Sequence, residues 1–294
     1  MKNIKNILVG IDIFEKQFKN VLKRSLLLAK QNNAKLFIVH AVKTPWFDIP
    51  NYFESTTQIV IDKAGIKKKI DKSIKSLSKD FFIPYFIFIK EGNPHDILLY
   101  ESKLNHADMI IIGSHSKFKD KIGFLGSTTQ TIVNKCHIPV LVVKNLSKKP
   151  YKNIIAPTDF EMQSKNSILF SKNISTSSKI NIVHAYERIY MTGPYLFVGR
   201  DLSQYNDASK HSSQTDLKDF IKDLKSSDEI SIKKSKVIDG KLYYKETLLD
   251  YINNGKYDLV VMGSKGNKGL NPLIGSVANY ILRETSLDVL IYVK

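Results

Sequence analysis

The stretch MIIIGSHSKFKDKIGFLGSTTQTIVNKCHIPVLVV at 109–143 returns as LVVMGSKGNKGLNPLIGSVANYILRETSLDVLIYV at 259–293. Each copy reads as an apolar strand ending in Gly-Ser, a basic glycine-containing loop, a second Gly-Ser, a helix and a closing apolar strand. Gly113 and Gly263 lie 150 residues apart, and Ser127 and Ser276 lie 149 apart. An internal repeat of that length implies two domains of one fold, each with a glycine-rich loop feeding a helix N-terminus.

Working outward, both halves alternate strand and helix, which implies α/β domains with doubly wound, mainly parallel five-stranded sheets and helices on both faces. The expected domains are 1–146 and 151–294, joined by the short polar linker Asn145–Pro150. In the first half, strands are expected at 6–13, 36–42, 82–89, 109–112 and 140–143, with helices at 16–31, 58–79, 94–105 and 127–135. In the second, strands are expected at 153–158, 179–185, 230–237, 259–262 and 289–293, with helices at 163–174, 209–225, 243–254 and 277–284. The loops after the second strand of each half are long and not of low complexity, so they are expected to act as lids.

Composition narrows the function. The longest apolar run, Phe81–Ile89, holds nine residues and includes Pro84, against the roughly 20 that cross a bilayer. Asp12 interrupts the N-terminal apolar run, which argues against a signal peptide. Cys136 stands alone, so no internal disulfide forms, and a reducing cytoplasm is the expected location. Its expected state is a buried thiol. The net charge of +17 raises nucleic acid as a partner, yet only Arg24, Arg188, Arg200 and Arg283 among the 45 basic residues are arginines. A lysine excess is a poor signature for bidentate reading of phosphates and bases. The excess is also spread over both halves, +11 in 1–147 and +6 in 148–294. The densest group, from Lys67 to Lys79, follows helical spacing and reads as a solvated face.

Chemistry in a parallel sheet gathers beyond the carboxyl ends of the strands. Three repeated features converge there: Asp12 and Asp159 ending the first strands, the IVHA ends of the second strands (His40-Ala41 and His184-Ala185), and the glycine-rich loops. Glycines let main-chain amides approach a polyphosphate, and Ser127 and Ser276 open helices whose free N–H groups favour anions. A carboxylate facing that anion site suits ribose hydroxyls. Lys117, Lys119, Lys121, Lys265 and Lys268 would add attraction, or are simply solvated loop lysines. The paired histidines suggest a shared packing or hydrogen-bond role. No His, Cys or carboxylate set stands at metal-ligand spacing.

On these residues the whole chain resembles a tandem universal stress protein (UspA-like), with the adenine nucleotide alpha hydrolase-like architecture. That family's nucleotide-binding form reads Gly, two residues, Gly, nine residues, then Gly-Ser or Gly-Thr. Gly113, Gly126 and Ser127 keep this spacing, with Ser116 in place of the middle glycine. Gly263, Gly266, Gly275 and Ser276 keep every residue type, with eight residues in the long gap. The resemblance implies ATP or ADP, with Mg as an optional companion, and prefers the second site. It also places Asp12 and Asp159 on ribose and the main chain of Ala41 and Ala185 on adenine. Single-domain relatives pair through their last strands, so 140–143 and 289–293 are expected side by side as a pseudo-dimer within one chain. Further self-association and protein partners stay open.

Rival sites are missing from the sequence: no Gly-x-Gly-x-x-Gly follows either first strand, and there is no P-loop or Gly-x-Ser-x-Gly elbow. No catalytic residue is nominated; Asp120 is the only loop acid near the expected γ-phosphate, in the first copy alone. The expected function is therefore a cytoplasmic stress-response protein acting through nucleotide occupancy and protein contacts. The alternatives are a scaffold with both sites degenerate and, last, a slow ATPase.

Overall fold

A computed structural model of the chain describes residues 3–15, 17–42, 61–114, 125–145, 149–189, 202–227, 230–264 and 274–293. The expected lids fall mainly on 43–60 and 190–201, outside the described residues. The first half contains β1 (Asn6–Gly10), α1 (Phe18–Asn32), β2 (Lys35–Val42), α2 (Lys63–Leu77), β3 (Tyr85–Glu91), α3 (Pro94–Leu104), β4 (Met109–Gly113), α4 (Ser127–Lys135) and β5 (Val140–Val143). The second contains β6 (Asn153–Pro157), α5 (Met162–Ile174), β7 (Lys179–Tyr186), α6 (Ser203–Ser227), β8 (Ile232–Asp239), α7 (Tyr244–Asn253), β9 (Leu259–Gly263), α8 (Ser276–Glu284) and β10 (Asp288–Tyr292).

The two five-stranded sheets join into one sheet of ten strands, ordered β3-β2-β1-β4-β5-β10-β9-β6-β7-β8. The seam is antiparallel, with Val289 opposite Val142, Leu290 opposite Leu141 and Ile291 opposite Val140. Every other neighbouring pair is parallel. Pairing β5 with β10 removes two edges that would otherwise expose unpaired amides.

Residues alternate faces along each strand, so the sheet carries two cores. Ile7 and Val9 face the core that includes Phe18, Ile70, Ile168 and Leu217, from α1, α2, α5 and α6. Leu8 faces the core that includes Leu98, Ile132, Ile252 and Ile281, from α3, α4, α7 and α8. Both cores run across the seam.

Element ends differ from expectation where side chains capture the backbone. β1 stops at Gly10 rather than 13, because the Asp12 carboxylate accepts the Phe14 N–H at 3.0 Å and turns the chain out of the sheet. β3 begins at Tyr85, after Pro84, which has no N–H to give a ladder. α2 begins at Lys63, where Asp62 caps it by accepting the Gly65 N–H at 2.7 Å. α6 begins six residues early, at Ser203, on a polar turn without apolar periodicity. Asn206 anchors that turn, accepting the Ile189 N–H at 2.8 Å and donating to the Ile189 carbonyl at 3.2 Å. Lys67, Lys68, Lys69, Lys72, Lys75 and Lys79 are all exposed, as a solvated face requires.

Candidate functional site

In each half the chain leaves the first strand toward one side of the sheet and returns on the other, so the switch point lies between β1 and β4, and between β6 and β9. The two switch points differ. β1 and β4 stay in register from Ile7–Met109 to Gly10–Ile112. β6 and β9 pair only at Ile154–Leu259 and Ile155–Val260. Pro157 has no N–H to give, so the ladder to β9 stops short although the two strands stay side by side, and the first turn of α5 packs on the end of β9.

The repeated acids sit at the tips of the opening strands. Asp12 is half-buried and Asp159 exposed. In each, Oδ1 serves a local turn: Asp12 accepts from Phe14, and Asp159 accepts the Glu161 N–H at 3.2 Å and the Ser164 hydroxyl at 2.6 Å. Among the described residues the Oδ2 atoms have no partner, which leaves each acid an acceptor to offer a ligand.

The repeated histidines brace the ends of the second strands. His40 Nδ1 lies 3.0 Å from the Ile11 carbonyl, and His184 Nδ1 lies 2.8 Å from the Thr158 carbonyl. A carbonyl only accepts, so Nδ1 carries the proton in both rings. These bonds clamp β2 to the loop after β1, and β7 to the loop after β6, just before Ala41 and Ala185. Both alanines are half-buried at the ends of their strands. Aromatic rings cover the histidines, with Phe14 centred 5.8 Å from His40 and Phe160 centred 4.3 Å from His184. His40 Nε2 is buried without a hydrogen-bond partner among the described residues.

The helix starts repeat most closely. Gly126 and Gly275 are the N-caps of α4 and α8, with φ/ψ of −60/143° and −62/154°, and neither helix has a capping side chain. The first-turn N–H groups have no acceptor among the described residues, so each start presents free donors and a positive dipole end to the crevice. The Gly126 N–H donates to the Ser114 carbonyl at 3.1 Å, and Thr129 Oγ1 donates to the Gly113 carbonyl at 2.8 Å, tying the first helix start to the end of β4. Ser127 and Ser276 are exposed at these starts. Ser116, Gly266, the loop lysines and Asp120 lie outside the described residues.

Two contacts escaped sequence reasoning. A Cβ at Gly263 would lie 2.7 Å from the main-chain carbon of Gln163 in α5, so this glycine has a packing reason independent of any ligand. Gln163 Oε1 is itself buried beside β9 without a partner among the described residues. Gln130 in α4 donates to Asn279 in α8 at 3.2 Å, linking the two helix starts across the seam. The signal was present: an amide side chain stands third after the Ser of both Gly-Ser pairs.

Among the described residues no cluster of three or more His, Cys, Asp or Glu could hold a metal, and no helix is long and apolar enough to cross a membrane.

The model of the universal stress protein family matches residues 3–144 and again 150–293. A universal stress protein of Methanocaldococcus jannaschii is 22% identical over 130 residues, which is 43% of this chain and 75% of that protein. Universal stress protein A homolog 1 of Coxiella burnetii is 24% identical over 142 residues, 48% of this chain and 94% of that protein. Among solved structures, a universal stress protein from Archaeoglobus fulgidus aligns with a TM-score of 0.69 at 14% identity, covering 98% of both chains. With both halves matched, the chain belongs to the universal stress protein family and carries its domain twice.

Proposed function

We propose that the chain binds an adenine nucleotide, ATP or ADP, in the second-half crevice and acts in a cytoplasmic stress response through nucleotide occupancy and protein contacts. One observation carries this reading: a glycine-led helix start without a capping side chain (Gly275-Ser276) belongs to a half whose Asp159 keeps one carboxylate oxygen without a partner among the described residues. The amides of α8 take the phosphates, with Gly266 completing the loop, and the Asp159 Oδ2 accepts from ribose hydroxyls. The main chain at Ala185, braced by His184, meets the base. The first half offers the same parts at Asp12, Ala41, Gly113, Gly126 and Ser127. Ser116 replaces its middle glycine, so its affinity is lower. No residue is assigned to hydrolysis.

Calorimetric titration of the full chain with ATP and ADP tests the reading, with Gly266→Val and Asp159→Asn as variants. The expected result is binding that G266V abolishes and D159N weakens. No heat at millimolar nucleotide, together with a melting temperature unmoved by ATP, overturns it in favour of a scaffold with degenerate sites.

A further inference from the structure

Beyond the amino ends of β4 and β5, at the opposite end of the sheet from the nucleotide crevice, the last turns of α3 and α4 enclose a hollow of about 370 Å³. Its floor is apolar, made by Leu99, Ala107, Ile138 and the buried Cys136. Its rim carries Lys103, His106, Lys135 and His137, all exposed, and no carboxylate lines it. The nearest acid of α3, Glu101, is already engaged by Lys90 at 2.9 Å. Neither Lys103 nor Lys135 has an ion pair among the described residues.

The repeat supplies an internal comparison. In the second half Tyr257 stands where the first half has Ala107, and its ring packs against the same core that holds Ile252 and Leu282 as members. That ring lies flat against Gly255, where a Cβ would come within 2.0 Å of it. Asn253 and Thr285 stand where the first half has Lys103 and Cys136, and they close on each other through a 2.9 Å hydrogen bond. Glu284 replaces Lys135, reversing the charge. In one half the corner thus carries an aromatic ring and a charge-balanced Lys256 and Glu284, and in the other it is hollow and basic.

We propose that this first-half hollow is a second ligand site, taking a small organic anion whose carboxylate or phosphate meets the lysine and histidine rim while a single apolar group rests on the floor. The volume is at the small end of ligand sites, which run from about 300 to 1,000 Å³. The simpler account of the rim is that basic residues complement helix C-termini. Two helix ends supply roughly one negative charge between them, so two lysines already exceed that demand before either histidine contributes. Burial pushes the Cys136 thiol up to about 11, so it remains protonated near neutral pH and serves as floor, not as a nucleophile. The proposal does not depend on nucleotide binding.

The test uses the full chain and phenyl phosphate as probe, followed by amide chemical shifts and calorimetry. The expected result is saturable binding with shifts at Lys103, Ala107, Lys135 and His137, unchanged by prior saturation with ATP. Inorganic phosphate, which lacks the apolar group, and phenol, which lacks the charge, should each bind about tenfold more weakly or worse. Ala107→Tyr, which imports the second-half plug, should abolish binding. Lys135→Glu, an exposed change that leaves the core untouched, should weaken it at least about tenfold. Benzoate matching phenyl phosphate would identify a general anion site, and binding of phenyl phosphate without benzoate a phosphate ester site; both support the proposal. It is overturned by no binding at millimolar probe, by equal binding of inorganic phosphate or phenol, by shifts at Gly126 or Gly275 instead, or by full affinity in folded K135E.

Discussion

The Tyr151 hydroxyl donates a 2.6 Å hydrogen bond to Asp288, 137 residues away, and both side chains are about 1% exposed. Tyr151 opens the second half and Asp288 begins the strand that closes it, so this bond ties linker to seam. The same carboxylate accepts the Lys144 and Asn145 N–H groups at 2.8 and 2.9 Å. Arg24, reaching from the first half, lies 3.6 Å from it through Nε and stacks 3.7 Å over the Tyr151 ring. Its Nη1 donates to the Lys149 carbonyl at 2.9 Å.

Asp288→Ala leaves the Arg24 guanidinium buried without its counter-charge and strands two main-chain donors. The expected loss is about 3–5 kcal/mol in urea unfolding. Replacing Arg24 and Asp288 together by Met and Leu should recover the part owed to the unpaired guanidinium, while the cost of the stranded Lys144 and Asn145 donors remains. A double variant as unstable as the single one would place the energy elsewhere.

Lys144 gives the seam a pH dependence. Its ammonium donates to the Leu282 and Thr285 carbonyls, both at 2.6 Å. Burial pulls its pKa from 10.5 down to about 8, against the opposing pull of Asp288 and Glu284. Between those values the unfolded chain holds the proton that the folded chain has released, so this group makes stability rise with pH. The full effect is on the order of 3 kcal/mol across that window. Tyrosines held up by burial, such as Tyr85 and Tyr257 at about 12, oppose it above about pH 10. Urea melts of wild type and Lys144→Met between pH 8 and about 9.5 should therefore diverge, the wild type gaining relative to the variant. Parallel curves would refute this.

Gly263→Ala drives a methyl group into the main chain of Gln163, which cannot move without shifting the start of α5. The expected cost is about 1–3 kcal/mol, read as a lowered unfolding midpoint without any nucleotide present. An unchanged midpoint would mean that α5 yields easily.

Gly275→Asp separates helix capping from anion binding. The N-cap φ/ψ of −62/154° suits aspartate, whose carboxylate would cap α8, so stability should hold or rise by a few tenths of a kcal/mol. The same carboxylate occupies and repels the phosphate position. ATP affinity should fall at least about tenfold while the melting temperature without ligand does not fall. Undiminished affinity would remove α8 from the nucleotide site.

Long periodic segments were legible from sequence: α4 (Ser127–Lys135) and β5 (Val140–Val143) stand where their apolar spacing put them. Element ends were less so. The start of α6 depends on Asn206 reaching Ile189, and the end of β1 on which amide Asp12 takes, neither of which leaves a periodic trace. Of the site, the acids, histidines, Gly-Ser pairs and their repetition could be read directly. The pressure of Gln163 on Gly263 could not, because it arises from packing between segments about 100 residues apart.

By itself the sequence determined the duplication, the strand–helix alternation and the helix starts, since these follow from local propensity and spacing along the chain. The pairing of β5 with β10 was expected from the family resemblance, and only the tertiary structure decided that Gln163 crowds Gly263, that Gln130 reaches Asn279 across the seam, and that Tyr257 packs on the core where its counterpart Ala107 lines a hollow. Those outcomes depend on which side chains meet after folding, where the bulk of one ring or the approach of one helix start sets two copies of the same pattern apart.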